Sequence, residues 1–154
     1  MTATLRSLGL ACVLAVGLAP GLEAQATTYY TRQYYSSWRK HPTRTYYYRY
    51  YYYKPATTYV GYKHHYAIYY PQRPKYVYFY NPYKKVYWGR CPVQTGGKGQ
   101  YSLLAEKDRK GNIDEIPESA FPKPGPLPPV PESSDGTPME LPPDDLPAEE
   151  PAAK

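Results

Sequence analysis

Tyrosine occupies much of the sequence that aliphatic residues fill in an ordinary globular protein. The 154-residue chain contains 22 tyrosines, and all of them follow position 26. Of the 128 residues after that position, 15 are Leu, Ile, Val or Phe, which is about 12%. Below roughly 20%, a chain struggles to bury enough apolar surface to offset the entropy lost on ordering. We therefore expect a mostly low-complexity, disordered chain with no large core, and no conventional enzyme domain.

The first 26 residues have the organisation of a secretory signal peptide. Arg6 precedes an apolar run of 12 residues from Leu8 to Ala19, and small residues follow. Because a helix needs roughly 20 apolar residues to span a bilayer, we predict cleavage after Ala26, or alternatively after Ala24. An uncleaved anchor is the other interpretation. No second long apolar segment follows, so we expect a secreted, periplasmic or cell-surface protein with no transmembrane segment after cleavage.

Charge divides the rest of the chain into two unlike parts. Residues 27–101 contain 13 Lys or Arg and no Asp or Glu, whereas residues 102–154 contain 5 basic and 12 acidic residues. The basic, aromatic part suits a polyanion, because cations release its counterions while tyrosine rings stack on sugars or bases. In a secreted protein this favours an anionic polysaccharide or envelope polymer, and nucleic acid is not expected. The opposite charges also predict salt-sensitive self-association.

Residues 27–74 form a Tyr-rich basic segment of low complexity. Tyrosine favours strands, but a run such as Tyr50–Tyr53 lacks the apolar/polar alternation that assigns one face to a core. Four prolines also divide the segment into short pieces. We expect extended, weakly ordered chain here. Clustered exposed tyrosines are also chemically available for dityrosine cross-links, although the sequence marks no particular one.

Residues 75–117 are the part of the chain that most resembles a folding unit. The aromatic run Tyr76–Tyr80 is followed by Asn81-Pro82 and then by Val86–Trp88, which predicts a β-hairpin. Further strands are predicted at 101–105 and 113–116, giving a small antiparallel hairpin or meander. Residues 118–154 contain 11 prolines and most of the acidic residues. We expect this Pro-rich acidic tail to be disordered, with polyproline II character in its first part.

The hairpin resembles the second half of a WW domain, a module that binds proline-rich peptides. The likeness covers residues 78–92, in which an aromatic strand, Asn81, Trp88 and Pro92 come in the order typical of that family. The resemblance implies that Tyr78, Tyr80 and Trp88 form a groove for a polyproline helix. The first WW tryptophan has no counterpart, so an ordinary hairpin with an aromatic face is the alternative. As a whole, the chain resembles short secreted Tyr- and Pro-rich bacterial proteins that carry no assigned activity.

Reactive and metal-binding residues are few. Signal cleavage would leave Cys91 as the single cysteine, available for an intermolecular disulfide or simply unpaired. The adjacent His64 and His65 are expected to point in different directions, and residues 27–101 offer no carboxylate, so we expect no metal site. Papain-like chemistry with Cys91 would need a rigid cleft. We therefore expect no catalytic residue and no cofactor.

Two functional hypotheses follow from these features. The first is a non-enzymatic structural or surface-associated protein that adheres or self-associates through Tyr, Arg and Lys contacts. The second is a binding module that recognises a proline-rich or polyanionic partner, such as a polysaccharide, through an aromatic hairpin. A Trp88→Ala variant separates them, because it should abolish partner binding in the second case and leave bulk adhesion nearly unchanged in the first.

Overall fold

The fold is a single antiparallel sheet that uses most of the Tyr-rich sequence. The computed structural model describes residues 31–93 and 99–147, so both predicted signal-cleavage positions lie outside the described residues. Three short 3₁₀ turns follow the sheet, at Glu106–Asp108, Ile113–Glu115 and Glu118–Ala120. The strands are β1 (Gln33–Tyr35), β2 (Arg39–Lys40), β3 (Tyr47–Tyr53), β4 (Lys63–Tyr69), β5 (Tyr76–Asn81), β6 (Val86–Pro92) and β7 (Ser102–Leu103).

The strands are arranged as a meander in chain order. The sheet order is β1-β3-β4-β5-β6-β7, and β2 pairs with β3 beside β1. The predicted hairpin is confirmed as β5–β6. The Asn81 side chain stabilises its turn by accepting hydrogen bonds from the backbone N–H groups of Tyr83 and Lys84. The predicted third strand is present as the shorter β7. The prediction of a strand at 113–116 is wrong, because Ile113–Glu115 forms a 3₁₀ turn there.

The Tyr-rich segment is part of the sheet, which corrects the expectation that it is weakly ordered. Strands β1 to β4 all come from residues 27–74, so the sheet begins well before the predicted start near residue 75. In β3, burial alternates although the residue type does not: Tyr51 and Tyr53 are buried, whereas Tyr50 and Tyr52 are half-buried. A tyrosine can serve on either face, since its ring packs like an apolar side chain and its hydroxyl tolerates water.

The two faces of the sheet pack against different segments of the chain. We call one the tail face; its buried cluster includes Tyr51, Ala67 and Phe79 from the sheet together with Val130 and Met139 from the tail. We call the other the tyrosine face; its cluster combines sheet residues with those of the segment after β7. The second cluster contains Ile68, Tyr78, Tyr87, Leu104, Ile113, Ile116 and Phe121. The expected absence of a large core stays a prediction.

The Pro-rich tail is packed on the sheet, which corrects the expectation that it is disordered and solvated. Acidic tail residues pair with cations of the basic part, among them Asp135 with Arg32, Asp145 with Arg49, and Glu132 with Lys63. Backbone carbonyls of the tail accept further hydrogen bonds, from Gln33 Nε2 at Pro138 (3.0 Å) and from Tyr35 Oη at Glu140 (2.8 Å). The attraction expected between the two parts of the chain is therefore satisfied within one molecule.

Within the described ranges the structure has no helix whose length and apolar character would allow it to cross a bilayer.

Candidate functional site: a tyrosine-lined groove

A large groove lies on the tyrosine face of the sheet. It has a volume of about 1100 Å³ and is lined by residues of β3, β4, β5 and β6. The segment around the 3₁₀ turn Ile113–Glu115 borders it on one side, and the loop from His41 to Thr45 borders it on the other. Its aromatic lining comes from alternate positions of neighbouring strands, from the residue before β3 and from the residue after β4: Tyr46, Tyr48, Tyr50, Tyr66, Tyr70, Tyr80 and Tyr87.

The rings of the groove support one another across the strands. The Tyr66 ring lies 5.2 Å from the Tyr50 ring and 5.8 Å from the Tyr48 ring, measured between centroids. Tyr80 and Tyr87 meet edge to face at 5.1 Å. These separations are within the range of favourable aromatic pairs, each worth about 0.5–1.5 kcal/mol beyond area burial. The lining is therefore a rigid aromatic platform, because each ring is held by at least one other ring.

Burial keeps several hydroxyls of the groove neutral. Tyr70 Oη and Tyr87 Oη share a hydrogen bond of 2.6 Å at the base of the groove. Burial raises the pKa of Tyr87, and the neighbouring Tyr70 raises it further. Burial likewise raises the pKa of Tyr46 and of Tyr66. The hydroxyls of Tyr46, Tyr66 and Tyr87 are therefore neutral near neutral pH, and a neutral hydroxyl both donates and accepts hydrogen bonds.

The rim of the groove is basic. Arg44 and His41 belong to its lining, and the Arg39 guanidinium lies 5.9 Å from the centroid of the Tyr50 ring. Among the described residues, Arg39 and Arg44 form no ion pair. The acidic residue of the rim, Asp114, is already paired with Arg73. An anionic ligand would thus meet uncompensated positive charge beside the rings.

The three residues of the predicted WW-type groove do not come together. Tyr78 and Tyr80 lie on the tyrosine face, and Tyr78 is buried there against Phe121. The register of β5 and β6 shifts between Phe79 and Tyr80, and Trp88 packs with the tail-face cluster instead. Tyr87 takes the place beside Tyr80. The prediction erred because a β-bulge reverses the face to which the following residues belong.

Cys91 is enclosed by the tail. Its side chain is 1% exposed, and a cavity of about 260 Å³ beside it is lined by tail residues from Leu141 to Leu146. Burial raises the pKa of the Cys91 thiol to about 12. An intermolecular disulfide stays a prediction, and it would require this part of the tail to move away first.

The adjacent histidines point to opposite faces, as expected. His64 contacts Tyr50 and Tyr66 on the tyrosine face, whereas His65 lies between Tyr53 and Trp88 on the tail face. In the described ranges no group of three or more His, Cys, Asp or Glu side chains is placed to hold a metal ion.

No protein-family model, curated protein or solved structure matches this chain. The resemblances noted in the sequence therefore stay predictions, and what the site does is inferred from its own residues.

Proposed function

We propose that the protein is a secreted or surface-associated, non-enzymatic binding protein that holds an anionic polysaccharide in the groove of its tyrosine face. The observation that carries the proposal is the combination of an aromatic platform with an uncompensated basic rim in one groove. The proposal keeps the polyanionic partner of the binding hypothesis but assigns its contact surface to residues other than Tyr78 and Trp88.

The ring arrangement suits a sugar chain. The C–H faces of a pyranose ring are weakly positive and pack against the negative face of an aromatic ring, while tyrosine hydroxyls exchange hydrogen bonds with sugar hydroxyls. The platform formed by Tyr48, Tyr50 and Tyr66 crosses two strands. Strands are about 4.8 Å apart, so a platform over two or three strands matches two or three sugar units.

The charge arrangement supports an anionic ligand over a neutral one. Arg39 and Arg44 stand at the rim, where a carboxylate or sulfate on the sugar would release counterions on binding. By contrast, Arg32, Arg49 and Lys63 are already paired with tail carboxylates and are not available to a ligand without displacing the tail.

Adhesion through self-association is a second candidate, and one observation favours it. At the sheet edge, Tyr34 of β1 is 40% exposed and stacks on Tyr52 with centroids 4.8 Å apart, and Tyr62 closes on Tyr34 edge to face. An exposed aromatic stack beside an edge strand can bind a second copy of the chain. Sedimentation velocity over a range of protein concentrations tests this candidate directly.

Calorimetric titration of the purified protein with polyuronate oligosaccharides tests the binding proposal, with neutral dextran oligosaccharides as the comparison ligand. Tyr50→Ala removes a central platform ring and should weaken polyuronate binding about fivefold, corresponding to roughly 1 kcal/mol for one aromatic contact. Arg44→Ala should weaken binding and reduce its dependence on salt, because one fewer counterion is released.

Tyr59→Ala is the matched control, because Tyr59 is an exposed tyrosine outside the groove and its loss should leave affinity unchanged. The proposal is wrong if dextran binds as tightly as polyuronate, or if the Tyr50 and Tyr59 variants lose the same affinity. Tighter binding of a single-stranded polynucleotide than of polyuronate would reject the polysaccharide as the ligand.

A further inference from the structure

Tyr83 differs from the other tyrosines in its position at the tip of the β5–β6 hairpin. Its side chain is 55% exposed, the highest exposure of any tyrosine among the described residues. The turn that carries it is fixed, because Asn81 accepts two of its backbone N–H groups and Lys85 adopts a left-handed conformation with φ of 56°. The ring is therefore presented to solvent on a rigid support.

A histidine stands next to the Tyr83 hydroxyl. Tyr83 Oη lies 3.3 Å from His64 Nδ1, and the two rings are 5.6 Å apart between centroids. The imidazole is itself held by Tyr50 at 5.2 Å and by Tyr66 at 5.3 Å. Burial lowers the pKa of His64, so the ring is mainly neutral at neutral pH and its Nδ1 can accept the phenol proton.

This pair has the arrangement that one-electron oxidation of a phenol requires. Removing an electron from tyrosine turns its hydroxyl into a strong acid, so oxidation is fastest where a base already accepts a hydrogen bond from that hydroxyl. We propose that Tyr83 is a site of oxidative cross-linking between two copies of this chain, and that His64 accepts its proton.

The reaction balances with a peroxidase and hydrogen peroxide as the oxidant. Each of two Tyr83 side chains gives up one electron and one proton, and the two phenoxyl radicals form a C–C bond between ring carbons ortho to oxygen. The hydrogens on those carbons then move to the two oxygens as the rings regain aromaticity. One hydrogen peroxide takes both electrons and both released protons and becomes two waters, and each His64 passes its proton to solvent.

The other exposed tyrosines lack this combination. Tyr34 is 40% exposed and stacks on Tyr52. Tyr59 is 37% exposed, and the Lys63 ammonium lies 6.0 Å from its ring, the same distance as from the Tyr83 ring. Within the described residues neither ring contacts an imidazole. Both are matched controls, because they share exposure with Tyr83 but not the base.

The test treats the purified protein with horseradish peroxidase and hydrogen peroxide at moderate ionic strength. Dityrosine fluorescence and dimer formation on denaturing gels follow the rate, and mass spectrometry of proteolytic digests locates the cross-link. Tyr83→Phe should reduce the initial rate of dimer formation at least fivefold, and Tyr34→Phe and Tyr59→Phe should leave it within twofold of wild type.

His64→Gln tests the role of the base, because glutamine can still accept a hydrogen bond but cannot take the proton. We expect its dimers to map to Tyr83 and to form several-fold more slowly. Circular dichroism confirms that each variant is folded. The proposal is overturned if cross-linked peptides contain Tyr34 or Tyr59 as often as Tyr83, or if Tyr83→Phe dimerises at the wild-type rate. An unchanged rate in His64→Gln would show that His64 does not accept the Tyr83 proton.

Discussion

Replacing His65 by phenylalanine should remove a large part of the acid sensitivity of this fold. The His65 side chain is completely buried, at 5.3 Å from the Tyr53 ring and 5.4 Å from the Trp88 ring between centroids. Neither of its ring nitrogens has a hydrogen-bond partner among the described residues. Burial is the main reason that its pKa falls to about 3, and nearby positive charges add to the effect. The folded protein therefore keeps His65 neutral over most of the acid range.

The magnitude follows from the difference between the folded and unfolded states. An unfolded histidine titrates near 6.5, so below that pH the unfolded chain binds a proton that the folded chain refuses. The stabilisation is complete above pH 6.5 and is lost as pH falls, by about 1.4 kcal/mol for each unit well below 6.5, until the folded pKa near 3 is reached. Between pH 7 and pH 5 the expected loss from His65 is about 2 kcal/mol.

Urea denaturation at pH 5, 6 and 7, followed by tryptophan fluorescence, measures this loss. Between pH 7 and pH 5 the free energy of unfolding should fall by about 2 kcal/mol less in His65→Phe than in wild type. At pH 7 the variant should be as stable as wild type or more so, since it no longer buries two unpartnered nitrogens. His41→Gln, at the groove rim, is the control and should behave like wild type. Equal losses in wild type and His65→Phe would refute the reasoning.

Three further predictions concern the packing of the sheet. Gly89→Ala should lower the free energy of unfolding by about 1–3 kcal/mol in urea denaturation, because a Cβ at Gly89 would overlap both the Tyr101 ring and the Ser102 backbone carbonyl; a neutral effect would mean that the β7 backbone moves freely. Native Cys91 should react with a thiol reagent at pH 8 about a hundredfold more slowly than in urea, since it is buried and its pKa is near 12; equal rates would show that the tail does not cover it. Glu118→Ala should lower the free energy of unfolding by about 1 kcal/mol in the same assay, because it leaves the Arg90 guanidinium buried between the Tyr76 and Phe121 rings without its carboxylate. Glu106→Ala should lower it by less, and the reverse order would contradict this explanation.

The hairpin could be predicted from sequence because its signals are local. An aromatic and β-branched strand, an Asn-Pro turn and a second strand lie within residues 76–88. Strands β1 to β4 could not be predicted in this way, because the usual signal is a contrast between residue types on the two faces. In β3 the same residue serves both faces, so the period of two appears only in burial.

The docking of the tail depends on contacts between distant parts of the chain. Arg32 and Asp135 are 103 positions apart, and nothing near either residue identifies the other. The charge division did predict attraction between the two parts, but charge counts alone could not distinguish attraction within one chain from attraction between chains.

The groove was hidden for two reasons. Its residues Tyr48, Tyr50 and Tyr66 come from the segment that lacks alternation, so only the pairing of β3 with β4 reveals that they share a face. The register shift at Tyr80 then places Tyr87, and not Trp88, opposite Tyr80. A bulge of this kind depends on the fit of neighbouring strands, and the short sequence around it carries no distinct signal.

The distance along the chain between the tail and its partners has a consequence for how the protein is made. Asp135 follows its partner Arg32 by 103 residues, and Asp145 follows Arg49 of β3 by 96. A chain still emerging from the ribosome would expose Arg49, His65 and Cys91 on an uncovered face. Such long sequence separations slow folding, because loop-closure entropy is lost before the contacts form. Folding of this protein can therefore finish only after synthesis has reached the acidic residues of its tail.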